Sequence, residues 1–211
     1  MRVDSDSALK NISVTKNMNA TSPTPDTLSA SILSNSAHAS SADNDYLGES
    51  NPIKRALDIV GAIVGIILSA PLIAAFGFLI YRESPGSVIY KQTRVGRDSK
   101  PFTIFKLRSM KLDSETAGAG WTVENDPRCL RVGKLIRAWN IDEVPQFWNV
   151  LKGDMSLVGP RPERPEHIER LSEEIPGWDK RLAVKPGLTG WAQVNGWRGD
   201  TSLQERIRHD I

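Results

Sequence analysis

The chain has 211 residues, room for one domain of ordinary size plus extensions, and a formal net charge of only +2. That charge is unevenly spread: residues 1–50 hold 3 Lys/Arg and 6 Asp/Glu, so −3, and the remainder holds 24 and 19, so +5. An excess of that size suits lipid head groups or phosphates and is too small to argue for nucleic acid. The single cysteine, Cys129, excludes an intramolecular disulfide and points to a reducing compartment.

No cleavable signal peptide is read at the N-terminus, which lacks a charged stretch followed by an apolar core. Residues 1–50 are predicted to be a disordered tail. Ser, Thr and Asn make up 20 of the 50 and Tyr46 is the only aromatic, so the segment buries too little apolar surface to offset its ordering entropy.

Residues 51–83 are predicted to be a membrane helix. From Ile59 to Ile80 run 22 residues without a charge. As a helix they extend about 33 Å, against a hydrocarbon core of about 30 Å, and they are apolar on every side. Pro71, near the middle, removes a backbone hydrogen bond and kinks the helix. Ser69 is placed to satisfy a freed carbonyl at the bend. Lys54 and Arg55 precede the run, and Arg82, Lys91, Arg94 and Arg97 follow it. Basic residues prefer the cytoplasmic side, so basic flanks at both ends give a spanning helix no orientation. A helix broken at Ser69–Pro71, entering one leaflet and returning, keeps both ends inside. This re-entrant reading is preferred to a single span or a buried core helix.

After the turn signal Ser84-Pro85-Gly86, residues 84–211 are predicted to form a small mixed α/β domain on the membrane. "SVIYKQTRVG" and "FTIFKLRSM" alternate apolar and polar residues and read as strands. "RCLRVGKLIRAW" has helical spacing, with Leu130, Leu135, Ile136 and Trp139 apolar. "EVPQFWNVLKG" reads as a helix stopped at Gly153, and "PEHIERLSEEI" as another. "KPGLTGWAQVNGWRGD" is glycine-rich loop, and "SLQERIRHDI" begins a last helix.

The stretch "NIDEVPQFWNVLKGDMSLVGPRP" carries the chemistry. Asn140 is a good N-cap residue, which puts Asp142 and Glu143 in a first helical turn with Glu143 able to complete a capping box. On that reading the two acids merely complement the helix dipole. The surroundings support a second reading. Lys106, Arg108, Arg137 and Arg161 are basic residues suited to phosphate, and prolines on both sides of Arg161 stiffen the backbone that aims its guanidinium. A carboxylate beside phosphates calls for a cation, and Mg²⁺ with oxygen ligands is the natural one. Asp can also attack phosphorus. Together these features suggest phosphoryl transfer.

Six blocks in order, "KRALDIVGAIVGIILSAPL", "SPGSVIYKQTRVG", "FTIFKLRSM", "NDPRCLRVGKLIR", "IDEVPQFWNVLKGDMSLVGPRP" and "KPGLTGWAQVNGWRGD", closely resemble the bacterial sugar transferases. These are monotopic polyprenyl-phosphate phosphoglycosyl transferases that start exopolysaccharide, O-antigen or glycoprotein glycan synthesis. The resemblance covers about residues 51–211. It implies transfer of a sugar-1-phosphate from a UDP-sugar to undecaprenyl phosphate with release of UMP, at the cytoplasmic face of the inner membrane and with Mg²⁺. It makes Asp142 the nucleophile of a covalent phosphosugar intermediate and a metal contact, with Glu143 supporting it. It places Lys106, Arg137 and Arg161 on donor and acceptor phosphates, and makes the apolar run a re-entrant helix-break-helix.

The chain departs from the family pattern in three places. The break reads Ser69-Ala70-Pro71 where Ser-Pro is common, and Asn140-Ile141 stands where Ser-Leu often precedes the dyad. Family members also usually continue beyond the equivalent of "RIRHDI" into an aromatic stretch and amphipathic helices. That last difference keeps an alternative in view: a truncated, non-catalytic, membrane-anchored assembly protein. The transferred sugar is not legible, and Trp191 and Trp197 read equally as site lining or as loop and membrane-edge packing.

Overall fold

A computed structural model describes residues 51–112, 114, 126–197 and 201–210. The expected disordered tail, the segment 198–200 that closes the glycine-rich stretch, and Ile211 lie outside the described residues.

The apolar run forms one helix, α1, Pro52–Glu83. Asn51 caps it by accepting from the Ile53 N–H at 2.9 Å, and Pro52 fits the first turn, where its missing N–H is no loss. Against expectation the helix continues through Pro71 across all 32 residues. Proline costs it a single bond, and contacts on either side hold the register. Ser69 is buried, but its hydroxyl donates to Ile66 O at 3.2 Å and not to Ile67 O, the carbonyl that Pro71 leaves without its donor.

α1 is fixed to the rest of the chain near both ends. Asp58 accepts from Ser156 Oγ at 3.0 Å and from the Leu157 N–H at 2.9 Å, and Lys54 bonds Ser156 Oγ as well. Arg55 donates to Val150 O and Leu151 O, both at 2.8 Å. Lys54 and Arg55, read from the sequence as topology signals, therefore also carry tertiary contacts. At the far end Glu83 accepts from the N–H groups of Arg131 and Val132 at 2.6 and 3.0 Å. It thereby caps α2, Arg131–Ala138, whose own N-cap residue, Leu130, supplies no side-chain bond.

Strands β1, Ile89–Val95, and β2, Pro101–Leu107, form an antiparallel pair with Tyr90 opposite Lys106 and Val95 opposite Pro101. A 3-10 turn, Ile141–Gln146, leads into α3, Phe147–Lys152, and then β3, Ser156–Val158. The chain continues through α4, Pro165–Glu174, and a 3-10 turn, Trp178–Ala183. It ends in β4, Gly187–Thr189, α5, Trp191–Val194, and α6, Leu203–Asp210. β3 and β4 pair in parallel, Ser156 with Gly187 and Val158 with Thr189. The expected mixed α/β architecture is what the described residues show.

Three apolar clusters hold these pieces. Ala62 of α1 packs with Ile104, Val150 and Met155; Ile80 of α1 packs with Leu107, Leu130 and Ile136; Val95, Ile168, Leu171, Ile175, Trp178 and Ile207 form the third. Each fully buried aliphatic side chain contributes about 1.5–3 kcal/mol. The helical spacing of α2 is partly misleading. Its core face is Gly133 and Ile136, while Leu135 and Trp139 stay exposed. A Cβ at Gly133 would stand 2.0 Å from Ser109 O, so α2 lies too close to that backbone for any other residue there.

Candidate active site

The acidic pair does not open an α-helix. Asn140 sits in the left-handed region (φ +55°) and its side chain makes no capping bond. Asn tolerates that conformation, and it swings the chain into a 3-10 turn in which the Glu143 N–H donates to Asn140 O at 3.2 Å. The expected capping box is absent because Glu143 is engaged elsewhere. The turn is anchored from below by Asn149 of α3, fully buried. Its Nδ2 donates to Thr103 O at 2.6 Å and its Oδ1 accepts from the Phe105 N–H at 3.2 Å, so α3 grips the edge of β2. Sequence reading passed over Asn149; a lone amide inside "FWNVL" is its only local signal.

That grip brings the dyad over Lys106 of β2. Glu143 Oε1 accepts from Lys106 Nζ at 2.8 Å and from Arg161 Nη2 at 2.6 Å, while Oε2 accepts from Arg161 Nη1 at 3.2 Å. The Arg161–Glu143 pair is two-pronged, the geometry that orients a guanidinium most firmly. Burial alone would push the Glu143 carboxyl up from its ordinary 4.5, but Arg161 and Lys106 outweigh it and hold the group well below the carboxylate range. Burial lowers Lys106, and the Glu143 charge opposes that shift.

Asp142 is in the opposite situation. It is buried and makes no ion pair with a described residue. Burial pushes its carboxyl up from the ordinary 3.8; Lys106 and Arg137 oppose this, and the Glu143 charge adds to it. The turn therefore holds one carboxylate committed to cations and one with no ion pair to a described residue.

Arg161 is delivered by the loop that follows β3. This loop lies backbone to backbone against β4. A Cβ at Gly187 would stand 2.1 Å from Gly159 N, and one at Gly190 would stand 2.3 Å from Gly159 O. The glycines of "KPGLTG" thus serve close packing. Trp197 packs its ring against His209 at 5.8 Å, and Trp191 stays exposed.

Arg137, in the last turn of α2, reaches Cys129 Sγ at 3.6 Å and lines a cleft of about 730 Å³ together with Asn140, Glu143, Arg161, Thr189 and Gln193. That volume is within the range of small-molecule sites. Gln193, another residue the sequence reading missed, donates to Leu188 O at 3.3 Å. Arg108 does not join the cluster: its guanidinium donates to Ser84 O at the end of α1. β2 ends at Leu107, so the alternation that would have put Arg108 on the face of Lys106 stops one residue short.

Residues 49–211 match the sequence profile of the bacterial sugar transferases. The chain belongs to the bacterial sugar transferase family. Over 130 residues it is 54% identical to a Bacillus subtilis (strain 168) protein provisionally named undecaprenyl-phosphate N-acetylgalactosaminyl 1-phosphate transferase, an alignment covering 62% of this chain and 73% of that one. It is 48% identical over 161 residues to the UDP-N-acetylgalactosamine-undecaprenyl-phosphate N-acetylgalactosaminephosphotransferase of Aeromonas hydrophila, covering 75% and 38% of the two chains. It is 44% identical over 169 residues to the UDP-glucose:undecaprenyl-phosphate glucose-1-phosphate transferase of Escherichia coli (strain K12), covering 80% and 36%. The chain therefore spans little more than a third of the length of the last two relatives.

Proposed function

We propose that this sugar transferase moves a sugar-1-phosphate from a UDP-sugar to undecaprenyl phosphate, releasing UMP, as the first membrane step of exopolysaccharide or glycan synthesis. The observation that carries this reading is the split within the dyad. Glu143 is held by Lys106 and Arg161, while its neighbour Asp142 is buried without an ion pair to a described residue. A desolvated, unpaired carboxylate is a strong nucleophile beside groups that hold phosphate. The relatives' names supply donor and acceptor classes that suit it.

In the first step Asp142 Oδ attacks the phosphorus that bears the sugar. The bond from that phosphorus to the UMP oxygen breaks, and UMP leaves with the electron pair. In the second step a phosphate oxygen of undecaprenyl phosphate attacks the same phosphorus, forming the diphosphate and releasing the Asp142 carboxylate. The anomeric bond is never broken. A phosphate monoester has its second pKa near about 6, so the acceptor attacks without a general base. Arg161, Lys106 and Arg137 offset the phosphate charges.

Among the described residues no cluster of three or more His, Cys, Asp or Glu stands together as an all-protein metal cage. Mg²⁺ ordinarily keeps waters and takes one or two carboxylates with substrate phosphates. Asp142 suits that arrangement, and Mg²⁺ held there would neutralise phosphate charge.

The proposal extends to place. Leu57, Val60, Ile67, Leu68 and Phe78 of α1 are all 60–70% exposed, a surface that water disfavours and lipid accepts. We read α1 as a re-entrant element at the cytoplasmic face of the inner membrane, residues 84–211 as the catalytic domain and residues 1–50 as an appended tail. Sharp bends in helices occur at proline, so Pro71 is where α1 would turn back.

The test is UMP release from UDP-sugars offered singly to nanodisc-held protein with Mg²⁺ and undecaprenyl phosphate. Release from at least one donor is expected, with loss of at least a thousandfold in Asp142→Asn. Full release from Asp142→Asn would overturn the mechanism, and none from wild type with any donor would overturn the function.

A further inference from the structure

Four consecutive carbonyls around Arg161 are each held by a donor from elsewhere in the fold. Pro160 O accepts from the Gly187 N–H of β4 at 2.8 Å, and Glu163 O from the Val95 N–H of β1 at 3.0 Å. Pro162 O accepts from Arg94 Nη1 at 3.2 Å. Arg161 O itself accepts from Arg181 Nη2 at 3.0 Å. Three of these anchors are backbone groups or lie on a strand. Arg181 differs: it is a buried side chain on a 3-10 turn, and its position depends on other side chains.

Those side chains form a buried ionic lattice. The same Nη2 of Arg181 donates to Asp210 Oδ2 at 2.7 Å, and both side chains are only 2% exposed. The Arg181 guanidinium lies 4.4 Å over the Trp178 ring and 4.0 Å from Glu163. Glu163 in turn accepts from Arg206 Nη1 at 3.2 Å and lies 4.0 Å from Arg94. Asp210 and Arg206 belong to α6, which gives the core the buried Ile207, with the partly buried Leu203 packed against the same cluster. A buried ion pair seldom beats an apolar replacement, so stability alone is a weak reason for α6 to carry these charges. Its acid does make one definite connection: it fixes the hydrogen-bond donor for the backbone of the arginine that grips Glu143.

We propose that Arg181 and Asp210 are positioning residues for Arg161, so that α6 sets the alignment of the guanidinium against the dyad. The inference rests on the phosphate-holding role assigned to Arg161 above. A bidentate contact is lost with a displacement of about 1 Å, and misplacement of that size can cost on the order of a hundredfold in rate. Neither Arg181 nor Asp210 lines the cleft beside the dyad; Arg181 connects to its lining through the bond to Arg161 O.

A double-mutant cycle on the full chain tests this, using Asp210→Asn, Arg161→Lys and the pair together, read as kcat/KM for UMP release. Asp210→Asn is expected to lower kcat/KM about tenfold in the wild-type background and less than twofold in the Arg161→Lys background. Ile207→Val serves as a stability control: it weakens α6 packing and is expected to lower Tm with no loss of kcat/KM. Equal factors for Asp210→Asn in both backgrounds, or an Ile207→Val defect matching it, would show general loosening and overturn the proposal. A second readout needs no turnover. In the resting protein, nitrogen-15 NMR of the Arg161 side chain should show hydrogen exchange accelerated at least tenfold by Asp210→Asn, with Glu143→Gln identifying the resonance. Unchanged exchange overturns the positioning role. Absence of UMP release from wild type overturns only the function proposed above.

Discussion

Glu143→Gln separates the committed carboxylate from its neighbour. The change removes the charge that accepts three hydrogen bonds from two cations and leaves Lys106 and Arg161 facing an amide. Breaking a fully buried pair by removing one partner costs about 3–5 kcal/mol. Lys106 and Glu143 have side chains 15% and 14% exposed, but Arg161 is 31% exposed, and water screens that part. The expected loss is about 2 kcal/mol, a fall in Tm of about 4–8 °C for a chain of this size. The pH dependence has a definite sign. Because the folded pKa of Glu143 lies below its ordinary 4.5, its stabilisation is complete above pH 4.5 and is lost as pH falls through the lowered value. The Tm gap between wild type and variant should therefore be constant from pH 7 to 5 and close only in stronger acid. Thermal unfolding of both proteins in the same detergent across that range measures it. A gap that closes between pH 7 and 5, or one that never closes, would refute the ion-pair assignment.

Asp142→Asn should do the reverse to stability. Burial raises the Asp142 pKa above its ordinary 3.8, so its charge destabilises the fold at neutral pH and the penalty disappears below that range. The variant is expected to have a higher Tm than wild type at pH 7 and no advantage in strong acid; a lower Tm at pH 7 would contradict the reading. The topology of α1 is checked by single cysteines at positions 51 and 84 in a Cys129→Ser background. Labelling of both from the cytoplasmic side alone is expected for a re-entrant helix, and labelling from opposite sides would establish a span.

Periodic features were readable from the sequence alone. Alternation gave β1 and β2, and the uncharged run from Ile59 to Ile80 gave α1, because strand and helix periods are local properties of neighbouring residues. Features that depend on a partner far along the chain were not. The sequence reading offered a capping role for Glu143 because Asn140 stands three residues before it. The structure commits Glu143 instead to Lys106 and Arg161, 37 residues before it and 18 after. Asn149 reads as a polar interruption until Thr103, 46 residues away, is placed beside it.

The same reasoning explains how the four basic candidates divide. Lys106 and Arg161 meet at Glu143, and Arg137 faces the same cleft, while Arg108 sits beyond the last residue of β2 and turns away to Ser84. Charge and proximity in sequence do not distinguish them; the end of a strand does. A site assembled from β2, a 3-10 turn and the loop after β3 depends on how firmly those three pieces are registered. The groups that register them, Asn149, the close glycines and the Arg181–Asp210 pair, have no chemistry of their own to announce them. Substitutions at these positions should therefore impair catalysis without touching substrate, in proportion to how far they release Arg161 from Glu143.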